Sequence, residues 1–592
     1  MHPQFHEKLN LKDNGHTVEA AGPLTWEDDL ESIEIKDVTV QQDDVVASRS
    51  DSKTYHKGTD TEWWLDVKSP NQFTRGRALA SGVAVVHRKN QKPYEYSWPD
   101  EVQLDMPLDL NEIQGNILAG FNKDFASFLF FELPEQAQAR AWLHGLVGQV
   151  ATTEEVQQFN DLFRAIRGRS GREGVVEATW MNLAFTYEGL RALGVGLGEL
   201  GQFPEEFRQG MRQRAREIGD IGDNHPSRWP NGLGTATIHA LMIVAADSIE
   251  DRDREVTHFV RHAARHGATL VFQQDGMTRS DAPGHEHFGF KDGISQPGIH
   301  GFTVPSDPHK PDAGWPGQDL IAPGEFVLGY PRQGPPAAEP PTPHPPPQPA
   351  DDPPGPRPEW TRNGSYLVFR RLQQDVKGFR DFVTKQAAQE RQSVDLFGAK
   401  LMGRYRSGAP LEGAGNAADD PGTTDPAVLD RTRINAFEYS TDPEGTQVPR
   451  AAHIRKTYPR DQRPPGEEEG DRRRILRRGI PFGRSFHHGN RPDSPYGADP
   501  QFPHDRGLCF VCYQGSIRDQ FEFIQHIWAN QDSYPEPGAG VDPVISHSSS
   551  TRSFGLPGGA VDPVSLPRQW VTATGGEYFF SPSISALGLL SR

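Results

Sequence analysis

The stretch Phe125-Ala-Ser-Phe-Leu-Phe-Phe131 is a short apolar run, and Pro134 stands just beyond it. A short apolar run rich in aromatic residues predicts a buried strand. Proline is favoured in the first turn of a helix, so Pro134 predicts a helix start. The apolar residues that follow have helical spacing: Ala139, Trp142, Leu143 and Leu146. The stretch therefore predicts a strand followed by an amphipathic helix.

The same kind of pattern continues outward along the chain. The further predicted elements are a strand over 175–185, a short helix after Thr186, a strand over 236–246, a helix from Ser248 to His266 and a strand over 268–274. Thr186 and Ser248 are residue types that cap helix N-termini. The core order of strand, helix, strand, strand, helix, strand is that of a ferredoxin-like unit.

A second unit of similar composition is predicted nearer the C-terminus. Its elements are strands over 364–371 and 507–514 and helices over 375–389 and 516–530. On the last helix Ile517, Phe521, Ile524 and Trp528 share one face. Residues 408–430 are rich in Gly, Ala, Asp and Pro and predict loops. The chain is therefore expected to be α+β, with two ferredoxin-like domains.

The predicted domain boundaries are 1–107, 108–310, 311–360 and 361–592. The first segment is acidic and irregular, and only the alternation from Ile33 to Val46 indicates strand. We treat it as an N-terminal extension of unknown role. Proline makes up 14 of the 28 residues from Pro331 to Pro358, which predicts an extended, solvated insertion within the linker.

Composition limits the classes of function. The chain has 62 basic and 80 acidic residues and a net charge of −18, which argues against non-specific binding to nucleic acid. It contains no run of 18 apolar residues, so no membrane span is expected. No secretory signal is visible near Met1, so a cytoplasmic location is expected. Cys509 and Cys512 stand three apart on a predicted strand and should point to opposite faces, which favours two inert core thiols.

The most informative segment for function is His287-Phe-Gly-Phe-Lys-Asp-Gly-Ile-Ser-Gln-Pro-Gly-Ile-His300. It places Asp292 between Gly289 and Gly293, and glycines allow a backbone to bend sharply and to approach a flat ligand closely. A carboxylate held in such a loop can act as a proton shuttle. Asp-Gly is also an ordinary turn dipeptide, and without further motifs a plain turn would be the better interpretation.

Further motifs follow in a fixed order: 451–460 with His453, 475–483 with Arg477, 507–514, 521–525, 540–543 with Asp542, and 575–580. In this order and spacing the set resembles the dye-decolorizing (DyP-type) haem peroxidases. The likeness runs from about Leu108 to the C-terminus. It implies the dimeric α+β barrel type of fold and a haem b (iron protoporphyrin IX) cofactor. It also implies that hydrogen peroxide oxidises dyes, phenolics or similar small-molecule donors through a ferryl haem.

The resemblance also implies roles for individual residues. Asp292 matches the distal acid, and His453 matches the iron ligand. Arg477, four residues before Pro481, matches the distal arginine, with Arg478 as its exposed neighbour. Asp542 matches the acid that hydrogen-bonds the ligand imidazole, as partners of metal-bound histidines commonly do.

Arg455 stands two residues after His453 and could pair with a haem propionate. Sequence alone leaves other readings open. His453 could be a core histidine, Arg455 could belong to a solvated charge pair with Lys456, and Asp542 could start a turn before Pro543. The other histidines near Asp292 are better explained by surface or supporting roles.

Two other functions fit the same residues. A porphyrin-handling protein, such as a deferrochelatase, would use the same fold and the same His453. A cofactor-free binding protein on a ferredoxin-like scaffold is the third possibility, because fold does not imply function. The sequence does not indicate an oligomeric state or the physiological reductant.

Overall fold

The protein is described from a computed structural model. The described residues are 8–12, 16–24, 26, 28–42, 45–69, 73, 76–105, 108–170, 177–229, 233–306, 313–333, 358–461, 470–486, 505–547 and 552–592. The chain divides into two compact units, and of the described residues the first holds 8–108 and the second 109–592. Most of the proline-rich insertion, with His344, and the pair His487 and His488 lie outside the described residues.

The first unit is a β-sheet with a core of its own. Its strands are β1 (Lys8–Lys12), β2 (Thr17–Pro23), β3 (Leu30–Gln42), β4 (Val45–Arg49), β5 (Lys53–His56), β6 (Glu62–Lys68), β7 (Gly76–Arg88) and β8 (Tyr94–Asp105). Their order is β4-β3-β7-β8-β1-β2-β6, and β5 also pairs with β3. Trp63 and Tyr55 are buried among aliphatic side chains of this sheet. The expectation of an irregular segment was wrong, whereas the strand predicted from Ile33 is present in β3.

The second unit contains a larger sheet. Its strands and those of two short ladders are β9 (Phe125–Glu132), β10 (Trp180–Phe185), β11 (Ala240–Ala246), β12 (Thr269–Met277), β13 (Gly298–Ile299), β14 (Leu320–Ile321), β15 (Ser365–Gln374), β16 (Leu476–Arg477), β17 (Ile480–Phe482), β18 (Gly507–Gln514), β19 (Arg552–Phe554), β20 (Val564–Leu566) and β21 (Val571–Ser581). No helix in the described part of the chain is long and apolar enough to span a membrane.

The helices of the second unit pack around that sheet. They are α1 (Gln136–His144), α2 (Thr153–Ser170), α3 (Tyr187–Ala192), α4 (Leu197–Leu200), α5 (Glu205–Gln213), α6 (Ile249–Arg265), α7 (Val376–Gln389), α8 (Val394–Met402), α9 (Pro421–Thr424), α10 (His453–Thr457) and α11 (Ile584–Leu590). Two consecutive π-helical segments, Ile517–Glu522 and Ile524–Ala529, form the last long helix predicted from the sequence.

Strand order confirms two ferredoxin-like domains. The main sheet runs β12-β9-β11-β10-β21-β15-β18-β16, and β17 also pairs with β18. Each half of this sheet places the last strand of its repeat beside the first, then the third, then the second. The two halves join where β10 pairs with β21, at Phe185 and Phe580. One continuous sheet thus carries both repeats.

The predicted helix starts are also confirmed. The side chains of Thr186, Ser248 and Ser516 each accept a hydrogen bond from a backbone N–H in the first turn of the following helix. Cys509 and Cys512 are both buried and free, and burial raises the pKa of each thiol above its usual range. Both observations agree with inert core thiols.

Candidate active site

A cavity of about 260 Å³ lies on the face of the sheet that β15 and β18 form. Alternate residues of a strand point to the same face, so Leu372 and Gln374 of β15 and Leu508 and Phe510 of β18 line it together. The segment 286–297, the helix α10 and the π-helical segments complete the walls. The cavity thus collects side chains from parts of the chain that are far apart in sequence.

Asp292 and Arg477 meet on the wall of this cavity. Arg477 Nη1 donates to Asp292 Oδ1 at 3.0 Å, and Arg477 Nη2 donates to the Ser295 carbonyl at 2.7 Å. The Gly293 N–H also donates to Asp292 Oδ1, at 2.6 Å. The Asp292 side chain remains 42% exposed. Desolvation raises the pKa of Asp292, but the charge of Arg477 and the Gly293 N–H outweigh it and hold the pKa below its usual range.

The backbone around Asp292 is shaped by a buried carboxylate that sequence reasoning missed. Glu286 accepts the backbone N–H groups of Phe288 at 2.7 Å and Phe290 at 2.8 Å, and Gln374 Nε2 donates to it at 2.6 Å. Gly289, between those two N–H groups, has φ +101°, a conformation that favours glycine. Glu286 immediately precedes the motif that begins at His287. Its neighbours in sequence do not indicate that its carboxylate binds backbone N–H groups.

His453 lines the same cavity and is fixed by Asp542. His453 Nδ1 lies 2.8 Å from Asp542 Oδ2, and Asp542 is fully buried. The backbone N–H groups of Val544 and Ile545 donate to the other oxygen, Asp542 Oδ1, at 2.8 and 3.0 Å. Burial raises the pKa of Asp542, but the charge and hydrogen bond of His453 outweigh it, so the carboxyl stays ionised. In the neutral imidazole Nδ1 therefore carries the hydrogen, which leaves the lone pair on Nε2.

The same pair determines the basicity of the imidazole. Burial lowers the pKa of His453, but the charge and hydrogen bond of Asp542 outweigh that effect and raise it. A histidine whose Nδ1–H is held by a carboxylate is the usual arrangement for a metal-binding imidazole. The geometry therefore suits His453 Nε2 for a place on an iron atom.

The structure does not bring Arg455 to the cavity. Its guanidinium donates to the Val448 carbonyl at 2.5 Å and to the carbonyl and carboxylate of Asp442 at 2.8 and 3.2 Å. It also lies 4.5 Å from the centre of the Tyr439 ring. Because Arg455 is 3% exposed and turned toward this loop, the interpretation as a haem-propionate partner is corrected. The adjacent Lys456 is likewise buried, bonded to backbone carbonyls.

Two other arginines, Arg404 and Arg460, fit the role that Arg455 does not fill. Both line the cavity and are at most 6% exposed. Their guanidinium groups donate to backbone carbonyls and share the Asn435 side chain. Within the described residues neither forms an ion pair with a carboxylate. Burial and the charge of Arg460 lower the pKa of Arg404 to about 10, so an anionic group here would relieve mutual repulsion.

Much of the remaining wall is apolar: Phe288, Phe290, Leu372, Met402, Ile454, Leu508, Phe510, Phe521, Ile524, Val544, Ile545 and Val571. A porphyrin needs such surfaces for its ring, cations for its propionates and an imidazole for its iron. The cavity supplies all three: the apolar side chains for the ring, the Arg404–Arg460 pair for the propionates and His453 for the iron. The side chains present therefore fit a haem.

Arg478, expected to be exposed, is a structural anchor instead. Its guanidinium donates to the carbonyls of Asn116, Ile117 and Leu118 at 2.9, 3.0 and 2.7 Å. Burial lowers its pKa to about 10. The exposed-neighbour expectation was wrong because a segment 360 residues earlier folds over it, which local sequence does not reveal.

The other histidines near Asp292 do not line the cavity within the described residues. His287 is buried, and its Nε2 lies 2.8 Å from the Phe482 carbonyl. His285 Nδ1 lies 2.9 Å from the Pro283 carbonyl. His526, on the second π-helical segment, is exposed. A supporting role for His287 and surface roles for the others agree with these positions.

Comparison with known proteins gives the same picture. The DyP dimeric α+β barrel domain matches residues 112–280, and the C-terminal domain of Dyp-type peroxidases matches 353–537. A dye-decolorizing peroxidase of Mycetinis scorodonius is 32% identical over 497 residues, which cover 81% of this chain and 87% of that protein. The chain belongs to the dye-decolorizing (DyP-type) peroxidase family.

Solved structures agree with this assignment. An ancestral D-type dye-decolorizing peroxidase has a TM-score of 0.66 and 33% identity and covers 81% of this chain and 99% of its own. A mutant of the dye-decolorizing peroxidase of Pleurotus ostreatus has a TM-score of 0.67 and 30% identity. The match covers 82% of this chain and 100% of that structure's chain. The protein is a haem peroxidase of the DyP type, with hydrogen peroxide and an electron donor as its substrates.

The alternative of porphyrin handling has much less support. A deferrochelatase of Yersinia pestis is 30% identical over 169 residues, which cover 28% of this chain and 28% of that protein. The dye-decolorizing peroxidases match about three times as much of the chain.

Proposed function

We propose that the cavity binds haem b through His453 Nε2, with its propionates at Arg404 and Arg460. The pairing of His453 with the fully buried Asp542 at 2.8 Å carries this proposal. When bound, the haem would supply the iron at which the O–O bond of hydrogen peroxide is broken and the two electrons that peroxide takes up, which the donor then restores. Asp542 keeps the imidazole oriented and basic.

We further propose that Asp292 moves the proton of the peroxide. Both hydrogen bonds that the carboxylate accepts from described residues fall on Oδ1. Oδ2 is therefore left to take a proton from the first oxygen of the peroxide and return it to the second, directly or through one water. Because the pKa of Asp292 is held low, the carboxylate is ionised and ready to act in mildly acidic solution.

Arg477 supports the same step by its charge. A guanidinium has five N–H donors, and two of those of Arg477 are used by Asp292 and the Ser295 carbonyl. The others can donate to the negative charge that develops as the O–O bond breaks. Arg477 and Asp292 thus act on the same substrate from one ion pair.

The electron donors that we propose are dyes, phenolics and similar small molecules. The relatives from Mycetinis scorodonius and Mycena epipterygia, which match more than 80% of the chain, are dye-decolorizing peroxidases, which supports dyes in particular. The test is to load the purified protein with haem b and supply hydrogen peroxide with a dye or a phenol. Peroxide-dependent oxidation is expected. Haem binding without any oxidation of either donor would favour a porphyrin-handling role and contradict the proposal.

A further inference from the structure

Arg477 is held at its main chain as well as at its side chain. Gln296 Nε2 donates to the Arg477 carbonyl at 2.7 Å, and the Arg477 N–H donates to Gln296 Oε1 at 3.2 Å. One carboxamide thus bonds both the donor and the acceptor of a single residue 181 positions away.

The position of β16 in the sheet explains why these two groups need a partner. β16 is the last strand of the sheet and pairs only with β18 on the path of the main sheet. Arg477 stands opposite Cys512 in that pairing, and the hydrogen bond to β18 is made by the next residue, Arg478, whose N–H donates to Val511. Within a strand the N–H and C=O of one residue point to the same side, so those of Arg477 face away from β18. Gln296 occupies the place of a missing neighbouring strand.

The loop that carries Asp292 therefore holds Arg477 by four hydrogen bonds. Asp292 and the Ser295 carbonyl bind its guanidinium, and Gln296 binds its backbone on both sides. Gln296 is itself fixed, because Gln318 Nε2 donates to its carbonyl at 3.0 Å. The acid and the arginine are consequently held together by one segment, residues 292–296.

We infer that Gln296 is a positioning residue that aligns Arg477 with Asp292 for the reaction with peroxide. The inference rests on the proposed function, because it concerns how the two proposed groups are kept in register. A misplacement of about 1 Å caused by a change outside the reacting groups can cost on the order of 100-fold in rate, so a side chain that fixes a backbone can matter as much as one that touches substrate.

The main test is Gln296→Met, which preserves length and removes both hydrogen bonds. We expect the peroxide step of the haem-loaded protein to slow by about tenfold or more. Hydrogen cyanide also gives up a proton when it binds as cyanide, so its binding should depend on the same alignment of Asp292 and Arg477. The affinity for cyanide, measured by titration of the absorption spectrum, should therefore be lower in the variant. In the haem-free protein the Arg477 amide should exchange its hydrogen faster, which tests the contact without any turnover.

The pH profile separates positioning from general destabilisation. The charges that act on Asp292 are those of Arg477 and His453. The buried Glu286 carboxyl also interacts electrostatically with Asp292, and Lys291 is the preceding residue. A looser Arg477 lowers the pKa of Asp292 less, so the acid limb of the peroxide step should move to higher pH. A variant that is merely less stable would lower the melting temperature and leave that limb in place.

The matched control is Gln209→Met on α5, a residue that does not line the cavity. Gln209 Nε2 donates to Glu205 at 2.6 Å and its Oε1 accepts from Arg214 at 3.0 Å, so the same substitution again removes a donor and an acceptor. It should leave the peroxide step, cyanide affinity and acid limb unchanged. An equal loss in both variants would overturn the inference, since the effect would then be general.

Two further variants, Gln296→Glu and Asp292→Asn, are measured in the same way. If Gln296→Met does not fold, Gln296→Glu retains the acceptor for the Arg477 N–H but replaces the donor, and a wild-type rate in Gln296→Glu would overturn the inference. Asp292→Asn is measured alongside. A slow Asp292→Asn with a wild-type Gln296→Met defeats this inference alone, whereas a wild-type Asp292→Asn defeats the proposed role of Asp292.

Discussion

At the scale of single residues, the protonation of Asp292 decides when the site can act. Its pKa lies below the ordinary value because Arg477 and the Gly293 N–H outweigh desolvation. A depressed pKa means that the base is present above that pKa and is lost as pH falls through it. An unperturbed aspartate titrates near about 3.9 and a histidine near about 6.5. The peroxide step should therefore persist at acidic pH values at which a histidine base would be protonated and inactive.

The variant Asp292→Asn tests this directly. It should slow the peroxide step at every pH and remove its acid limb, because no group then titrates there. Stopped-flow rates across the acidic range provide the measurement, and dye oxidation in the wild type should be best on the acidic side of neutral. A wild-type rate in Asp292→Asn over the whole range would place the proton shuttle elsewhere.

Arg477 and Arg478 should fail in different ways when replaced by leucine. Arg477→Leu removes a charge aimed at the developing negative charge, which typically costs on the order of 10²–10³ in rate. Arg478→Leu deprives three backbone carbonyls of their donor, so the free energy of unfolding should fall by at least about 1–3 kcal/mol. Stopped-flow and denaturant unfolding of both variants compare the two. Equal effects on the peroxide step would contradict the division of roles.

These residues also show what sequence could predict. Asp292, His453 and Asp542 lie in local motifs, and the structure brings His453 to Asp542 and Asp292 to Arg477. Arg455 and Arg478 were misjudged because a guanidinium finds its partners through tertiary contacts. Arg455 turns to Asp442, thirteen residues earlier, although His453 is only two residues away. Proximity in sequence to a site residue is therefore a poor guide to the direction of a long side chain.

At the scale of elements, the helix α10 that carries His453 is held in place by Arg455. This helix has only five residues, and short helices depend on tertiary contacts for stability. The bonds of Arg455 to Asp442 and Val448 tie it to the preceding loop. Arg455 therefore supports the helix that carries His453 and does not line the cavity.

The substitution Arg455→Met is expected to destabilise the fold. It leaves the buried Asp442 carboxylate without its ion-pair partner, and breaking one side of a buried pair costs about 3–5 kcal/mol. Denaturant unfolding measures the loss, and Arg518→Met is the control at an exposed arginine. If stability were unchanged while haem affinity fell, the original interpretation of Arg455 as a propionate partner would be restored.

The strands of the first unit show why an element can escape prediction. The buried positions of β3 include Ile33 and Ile35 and then Val38 and Val40, so the alternation changes by one residue between these two pairs. The pairing with β7 shifts register at the same place, and Asp37 has φ +52°. An irregularity of this kind breaks the period of two on which strand prediction depends. The segment therefore seemed irregular although most of it is sheet.

At the scale of the whole molecule, the chain is acidic overall whereas the cavity lining is rich in arginine. The chain carries −18, yet among the described residues six arginines line the cavity: Arg370, Arg404, Arg460, Arg473, Arg474 and Arg477. Net charge alone therefore says little about the ligand of the site. The fold, in contrast, followed from the order of the elements, since two ferredoxin-like repeats were predicted from apolar runs and helix caps. The domain boundaries and a cytoplasmic location stay predictions.

Binding of haem through His453 is tested by comparing the wild-type protein with His453→Ala. Wild-type protein and His453→Ala are each loaded with haem b, and haem content and absorption spectrum are recorded. We expect His453→Ala to be largely haem-free or to show the spectrum of a changed axial ligand. The reason is that Asp542 holds Nδ1 of this imidazole and leaves Nε2 for the iron. A His453→Ala protein with full haem content and the wild-type spectrum would contradict the account.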